Sequence, residues 1–298
     1  MTPPPRIVRR EARAKLNVFL RVLGSREDGY HELESLVVPI TVADIVTVEP
    51  AEALRVEVTG APVLAGDATG ARSPAREVPA GGLNLALVAA LALADACPDA
   101  GGALIRIDKR IPVAGGLGGG SADAAATLLA LNELWGCDVD PLTMAGIGER
   151  IGSDVPAMLS GEPVLMSGRG ERIATAACAS LHWVLVVPGF GVRSPDAYRW
   201  WDEDGGQTGP DPEPLLAAAS AGDPGALGPL LFNDLEAPVV ARHPEVGEAK
   251  ARLLQAGALG AIMSGSGSSV VGLARDGDHA RELAEAAGGT PVVGPAPA

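Results

Sequence analysis

Pro112-Val-Ala-Gly-Gly-Leu-Gly-Gly-Gly-Ser-Ala122 decides how this chain is read. Glycine lets a backbone take positive φ, and without a Cβ it leaves N–H groups open to face an anion. The run lies between a predicted strand, Ala103 to Ile107, and a predicted helix, Ser121 to Trp135, with Gly136 as its stop signal. Loop amides and the positive end of a helix dipole therefore converge near Ser121, which suits a phosphate. Ser121 can cap that helix or donate to a phosphate oxygen. A flexible glycine linker is the plainer alternative, but its setting between a strand and a buried helix argues against it. No Lys-Ser or Lys-Thr follows the glycines, so this is not a Walker A loop. A dinucleotide fingerprint can be matched to so Gly-rich a run only by chance.

Strands are predicted at Ile7 to Arg10, Leu16 to Leu23, Leu36 to Ile40, Asp44 to Glu49 and Leu54 to Val58, with a turn at Gly24 to Gly29. Gly60 to Gly82 reads as a surface loop. Helices are predicted at Asn84 to Ala96 and from Pro141, capped by Asp140, to Ile151. Further along, Pro163 to Met166, Trp183 to Val187, Ala261 to Met263, Val270 to Ala274 and Pro291 to Val293 read as strands. Leu215 to Ala221 and Pro244 to Ala256 read as helices, and Trp201 to Glu213 as an exposed acidic loop. Strands and helices mix without regular βαβ alternation, which predicts an α+β fold of two lobes, 1–162 and 163–298.

The 298 residues are 47% hydrophobic but only 3% aromatic, so the core must pack small side chains closely. The net charge of −14 argues against a nucleic-acid or anionic-membrane surface. Arginines nevertheless crowd the first 26 residues. Only Lys15, Lys109 and Lys250 are lysines among 23 basic residues, so each is a candidate for a site needing a compact ammonium. Cys97, Cys137 and Cys178 give no disulfide or zinc pattern, and a reducing compartment is expected. The Arg- and Pro-rich start lacks a signal-peptide apolar stretch, and Leu83 to Cys97 is too short and polar to span a bilayer.

With two further segments, Ala14-Lys15-Leu16-Asn17 and Met263-Ser264-Gly265-Ser266-Gly267-Ser268, the glycine run resembles the three motifs of the GHMP kinases, in their order. The resemblance implies an N-terminal lobe like ribosomal protein S5 domain 2, a C-terminal ferredoxin-like lobe and a site in the cleft between them. It also implies transfer of the γ-phosphate of ATP to an alcohol, with Mg²⁺. Asp28-Gly-Tyr-His31, the triple glycine, Ile151-Gly-Ser-Asp-Val-Pro156 and Phe232-Asn-Asp-Leu-Glu236 narrow it to members whose alcohol is a cytidine-diphosphate-linked methylerythritol. A cytoplasmic enzyme is expected, with no nucleic-acid or membrane partner; the oligomeric state stays open.

By this resemblance Lys15 and Asp154 are the catalytic pair. Asp154 would accept the hydroxyl proton; Lys15 would orient the hydroxyl or stabilise the phosphoryl group. Asp154 can equally cap a helix before Val155-Pro156. The ATP contacts implied are Asn84, Lys109, Pro112, Val113, Ala114, Gly115, Gly116, Leu117, Gly118, Gly119, Gly120, Ser121, Ala122, Gly265, Ser266 and Gly267. Asn17, Tyr30, His31 and Tyr198 would meet the substrate, Tyr30 and His31 bracketing the cytosine and Tyr198 stacking on it. Lys109 can equally be a solvated charge at a strand end. No metal ligand is assigned, and Trp200 to Asp204 matches no motif. Another GHMP kinase, a decarboxylase of the same fold or a non-catalytic sugar sensor are the rival readings. Retention of Lys15 and Asp154 argues against the sensor.

Overall fold

The computed structural model describes residues 6–60 and 84–296. Most of the expected loop from Gly60 to Gly82 lies outside the described residues.

Two long strands, β1 (Val8–Ser25) and β2 (His31–Pro50), form an antiparallel hairpin. Each spans what the sequence reads as two strands. Register shifts between Arg13 and Lys15, Asn17 and Phe19, and Val22 and Gly24 interrupt the alternation. Residues 14–20 of β1 are also buried on both faces, so the period of two that marks a strand is lost there. β3 (Arg55–Gly60) runs parallel to β4 (Ala103–Lys109), which pairs antiparallel with β2. Helices α1 (Leu85–Ala94), α2 (Gly119–Trp135), α3 (Pro141–Ile151) and α4 (Val155–Ser160) follow. Ala86, Ala89, Ala90, Ala122, Ala124, Ala125, Ala126 and Ala130 are buried, and small side chains let α1, α2 and the hairpin approach closely.

β5 (Val164–Ser167) joins the edge of β2, and β6 (Arg172–Thr175) pairs with β5. The first sheet therefore continues to Thr175, past the expected lobe boundary at residue 162. β7 (Leu181–Val186) starts a second sheet. After it come α5 (Ser194–Glu203), α6 (Glu213–Ala221), α7 (Pro224–Leu227), β8 (Phe232–Asn233), α8 (Glu236–Arg242) and α9 (Pro244–Gln255). β9 (Gly260–Met263), β10 (Val270–Leu273), α10 (Gly277–Ala287) and β11 (Thr290–Gly294) complete the chain. The second sheet has the order β11-β7-β10-β9, all antiparallel, with α9 and α10 packed on it. β8 returns to pair with β1 in the first sheet and so ties the two together.

Two expectations are corrected. Trp201 is in a helix and 6% exposed, not in an exposed loop. Ala197 and Trp201, four residues apart, form the buried face of α5, while Arg199, Asp202 and Glu203 on the helix are open. Cys97 and Cys137 form a disulfide, their Cα atoms 5.3 Å apart. One lies just past the end of α1 and the other just past Gly136, the C-cap of α2. The pairing depends on how these helices lie together, and the separation of 40 residues gives no sign of it. Unpaired cysteines thus no longer support a reducing compartment. Among the described residues, no helix is long and apolar enough to cross a membrane.

Candidate active site

A cavity of about 660 Å³ opens where the start of α2, the hairpin and the loop after β9 meet. Gly118, at φ 68° and ψ 20°, is the N-cap of α2, and no side chain caps this end. Ser121 is therefore not the cap; it sits in the first turn, on the cavity wall. Gly116 has φ 76°, and a Cβ there would lie 2.0 Å from the Ser264 carbonyl oxygen. At Gly265, with φ 56°, a Cβ would lie 2.9 Å from both the Gly116 oxygen and Lys15 Nζ. The two glycine loops interlock through Ser269 N–H donating to Gly115 O (3.1 Å) and Ser264 Oγ donating to Gly116 O (3.3 Å). Asn233 Nδ2 donates to Met263 O and Gly265 O, both at 2.8 Å, and so holds the second loop.

Lys15 projects from β1 beside a register shift and is 5% exposed. Its ammonium donates to Asn17 Oδ1 (2.6 Å) and Gly116 O (2.9 Å) and stands 3.8 Å from Asp154 Oδ2. Burial lowers the Lys15 pKa, and the Asp154 charge partly opposes that. Asp154 occupies the N-cap position of α4, yet its side chain makes no cap hydrogen bond. Its carboxylate stays on the cavity wall. Asn17 Nδ2 donates to Ser35 Oγ (2.7 Å), whose hydroxyl donates to the Phe19 carbonyl. Each member of this chain is oriented by the next.

At the other end of the cavity His31 stacks on Tyr198, ring centroids 4.8 Å apart. Burial, with Asp154 nearby, pushes the Tyr198 phenol above its ordinary pKa, so the ring stays neutral. Tyr30 is half exposed, and the Arg169 guanidinium lies 5.1 Å from its ring centroid. His31 is thus stacked on Tyr198 itself.

Pro112, Ala114 and Gly115 to Ser121 line the cavity, as do Lys15, Asn17, Tyr30, His31, Asp154, Tyr198, Gly265 and Ser266. Asn84, Lys109, Val113, Ala122 and Gly267 do not. Asn84 caps α1 by accepting from Ala86 N–H at 2.9 Å, beside the cavity-lining Leu85. Lys109 is 4% exposed and ion-paired to Asp44 and Asp123, so it is neither an adenine-side contact from its ammonium nor a solvated charge. Burial lowers the Lys109 pKa, but the two carboxylates outweigh it and the net shift is upward. Burial raises Asp123 to about 7, and Asp44 adds to the rise against the pull of Lys109. Asp44 Oδ1 also accepts from Arg110 and Ile111 N–H, so the triad pins the segment entering the glycine run to the second turn of α2.

Sequence reasoning missed Ser35, Ser194, Arg169, Arg199 and Asp202, all on the cavity wall. Asp202 falls in the acidic stretch that matched no motif; Ser35 and Arg169 carry no local signal at all.

A glycine-lined helix start facing a buried lysine and a partly exposed aspartate is the arrangement of a small-molecule kinase of the GHMP type. The family model described as GHMP kinases N terminal domain matches residues 84–162, and that described as GHMP kinases C terminal matches 215–290. A 4-diphosphocytidyl-2-C-methyl-D-erythritol kinase of Pelotomaculum thermopropionicum is 41% identical over 276 residues, 92% of this chain and 91% of that protein. One of Deinococcus radiodurans is 41% identical over 286 residues, 95% of this chain and 90% of that protein. A crystal structure of 4-(cytidine 5′-diphospho)-2C-methyl-D-erythritol kinase superposes with a TM-score of 0.78 at 38% identity, covering 96% of this chain and 98% of that one. The chain belongs to the 4-diphosphocytidyl-2-C-methyl-D-erythritol kinase family of GHMP kinases.

Proposed function

We propose that this kinase transfers the γ-phosphoryl group of ATP to the 2-hydroxyl of 4-(cytidine 5′-diphospho)-2-C-methyl-D-erythritol, in the cytoplasm, as a step of non-mevalonate isoprenoid precursor synthesis. The observation that carries the reading is the Lys15–Asp154 pair, 3.8 Å apart on the wall that also carries the glycine run.

In this reading the phosphates of ATP lie on the N–H groups of Gly115 to Ser121 and the start of α2. Phosphoryl transfer needs positioning and charge neutralisation more than covalent help from the protein. Lys15 spends two donors on Asn17 and Gly116, which fixes its ammonium and aims what remains toward Asp154 and the transferring group. Asp154, free of capping duty, takes the hydroxyl proton. Asn17, held by Ser35, orients the alcohol, and Tyr30, His31 and Tyr198 receive the cytidine end. In this reading the N-terminal lobe runs on to about residue 175, because β5 and β6 complete its sheet, and the C-terminal lobe follows.

Mg²⁺ fits this wall. Such an ion keeps much of its water and needs only one or two protein oxygens beside the phosphates. Ser121 would be the protein donor here; a Cβ built on Gly152 would lie 3.9 Å from Ser121 Oγ, so that hydroxyl is close to the loop that presents Asp154. When bound, the ion neutralises phosphate charge.

ADP release tests the reading, with Mg-ATP and the cytidine-diphosphate alcohol, homoserine, mevalonate or galactose as acceptor. Turnover of the cytidine compound alone is expected. Turnover of another alcohol instead would keep the kinase and overturn the substrate.

A further inference from the structure

Asp202, on the last turn of α5, reaches across to the first residue of β2. Both its carboxylate oxygens lie 3.0 Å from His31 Nε2. Ser25 Oγ donates to Asp202 Oδ1 at 3.0 Å and steadies the carboxylate from the end of β1. The His31 ring is fixed on its remaining sides, stacked on Tyr198 at 4.8 Å and met edge-on by Trp201 at 5.7 Å. The His31 side chain is 10% exposed while that of Asp202 is 45% exposed, so the imidazole is the held partner and the carboxylate the holder.

A carboxylate only accepts hydrogen bonds, so the Nε2 that faces it carries the hydrogen. In a neutral imidazole the other nitrogen, Nδ1, is then a bare acceptor. Among the described residues Nδ1 makes no hydrogen bond, and His31 lines the cavity. An acceptor at this place suits an exocyclic amino group and repels a carbonyl oxygen. That is the difference between the 4-positions of cytosine and uracil.

Resting on the cytidine reading above, we propose that Asp202 is a positioning residue that sets the His31 tautomer and thereby makes the site prefer cytosine to uracil. It acts through His31 and touches no reacting atom. Neither feature can be exchanged for simple packing, because a ring merely held in place but free in tautomer would accept either base.

The test compares binding of CMP and UMP by calorimetry, at mildly alkaline pH where an imidazole is neutral. It uses the full chain and the Asp202→Ala and Asp202→Glu variants, with thermal melts to establish folding. The unaltered protein is expected to prefer CMP by about tenfold or more, since a buried acceptor set against a carbonyl leaves both unpaired. Asp202→Ala is expected to cut that ratio to within about threefold, chiefly through weaker CMP binding, and Asp202→Glu to restore part of it. Nitrogen-15 spectra of the imidazoles, with His31→Gln to assign the signal, should show an Nε2–H ring that loses its tautomer bias in Asp202→Ala. An Ala variant that keeps the full CMP preference, or that weakens CMP and UMP equally, overturns the role of Asp202 and leaves the cytidine reading standing. An unaltered protein with no preference for CMP overturns the cytidine reading and this proposal with it.

Discussion

Two buried lysines in a chain that has almost none serve different ends. Among the described residues, Lys15 has Asn17 Oδ1, Gly116 O and the more distant Asp154 as partners. Burial disfavours its charge, so the folded state carries that cost at neutral pH, below the ordinary lysine range. Lys15→Met should therefore lower kcat by about 10³-fold or more while leaving the thermal midpoint unchanged or raised. Asp154→Asn should lower kcat by a similar factor with little change in ATP affinity; calorimetry and steady-state kinetics on both variants check this. Lys109 is compensated by two carboxylates, and the triad carries one negative charge too many. Asp123 holds its proton to about pH 7 when folded, but only to its ordinary value of 3.8 when unfolded. Between those values the unfolded chain binds fewer protons, so this group's share of stability falls as pH rises across the window. Asp123→Asn should remove that slope: its thermal midpoint gains on the unaltered protein at pH 8 and not at pH 4, measured by melts across that range.

At the level of elements, the glycine run is dense because a Cβ on Gly115, Gly116 or Gly118 would fall within 2.7 Å of a neighbouring atom, although one on Gly120 would meet only ordinary contact. The Gly116–Ser264 and Gly265–Lys15 approaches join segments far apart in sequence. Strands, the main helices and most of the cavity wall were legible because local pattern and local turn chemistry agree. What failed to show depends on tertiary partners. Asp44 and Asp123 are invisible as a pair until the hairpin lies under α2. Trp201 reads as loop because the acidic residues after it mask a helix end. α10 was overlooked although Asp276 caps it by accepting from His279 N–H and His279, Ala280, Leu283, Ala284 and Ala287 line its buried side. That spacing was there to be read. The Cys97–Cys137 bridge ties the C-terminal ends of the two helices whose first residues, Leu85 and Gly119, line the cavity, and the loop it closes contains the whole glycine run. Closing a loop of this length contributes about 4 kcal/mol through the unfolded chain. Reduction by dithiothreitol should lower the thermal midpoint by several degrees, and Cys97→Ser should show the same loss without reductant.

For the molecule as a whole, a net charge of −14 has to admit a polyanion. In the proposed site, backbone dipoles and the buried Lys15 ammonium would do so, with Arg169 and Arg199 also on the cavity wall. The first sheet and the loop after β9 both line the cavity, and β8, which returns from the second half to pair with β1, carries the Asn233 that holds that loop. Among the described residues no cluster of three metal-binding side chains exists. In the proposed reaction a divalent ion arrives with ATP, held largely by the phosphates. Chelation by EDTA should abolish turnover, Mg²⁺ should restore it, and the melting of the nucleotide-free protein should not respond to either.

The central claim concerns one hydroxyl, and phosphorus-31 NMR of the product reads it directly. Carbon 2 of the methylerythritol unit bears a methyl group and no hydrogen. A new phosphomonoester signal without vicinal proton coupling, growing in step with ADP, is the predicted result. A monoester signal split by protons on its carbon would put the phosphate on another hydroxyl and contradict the account.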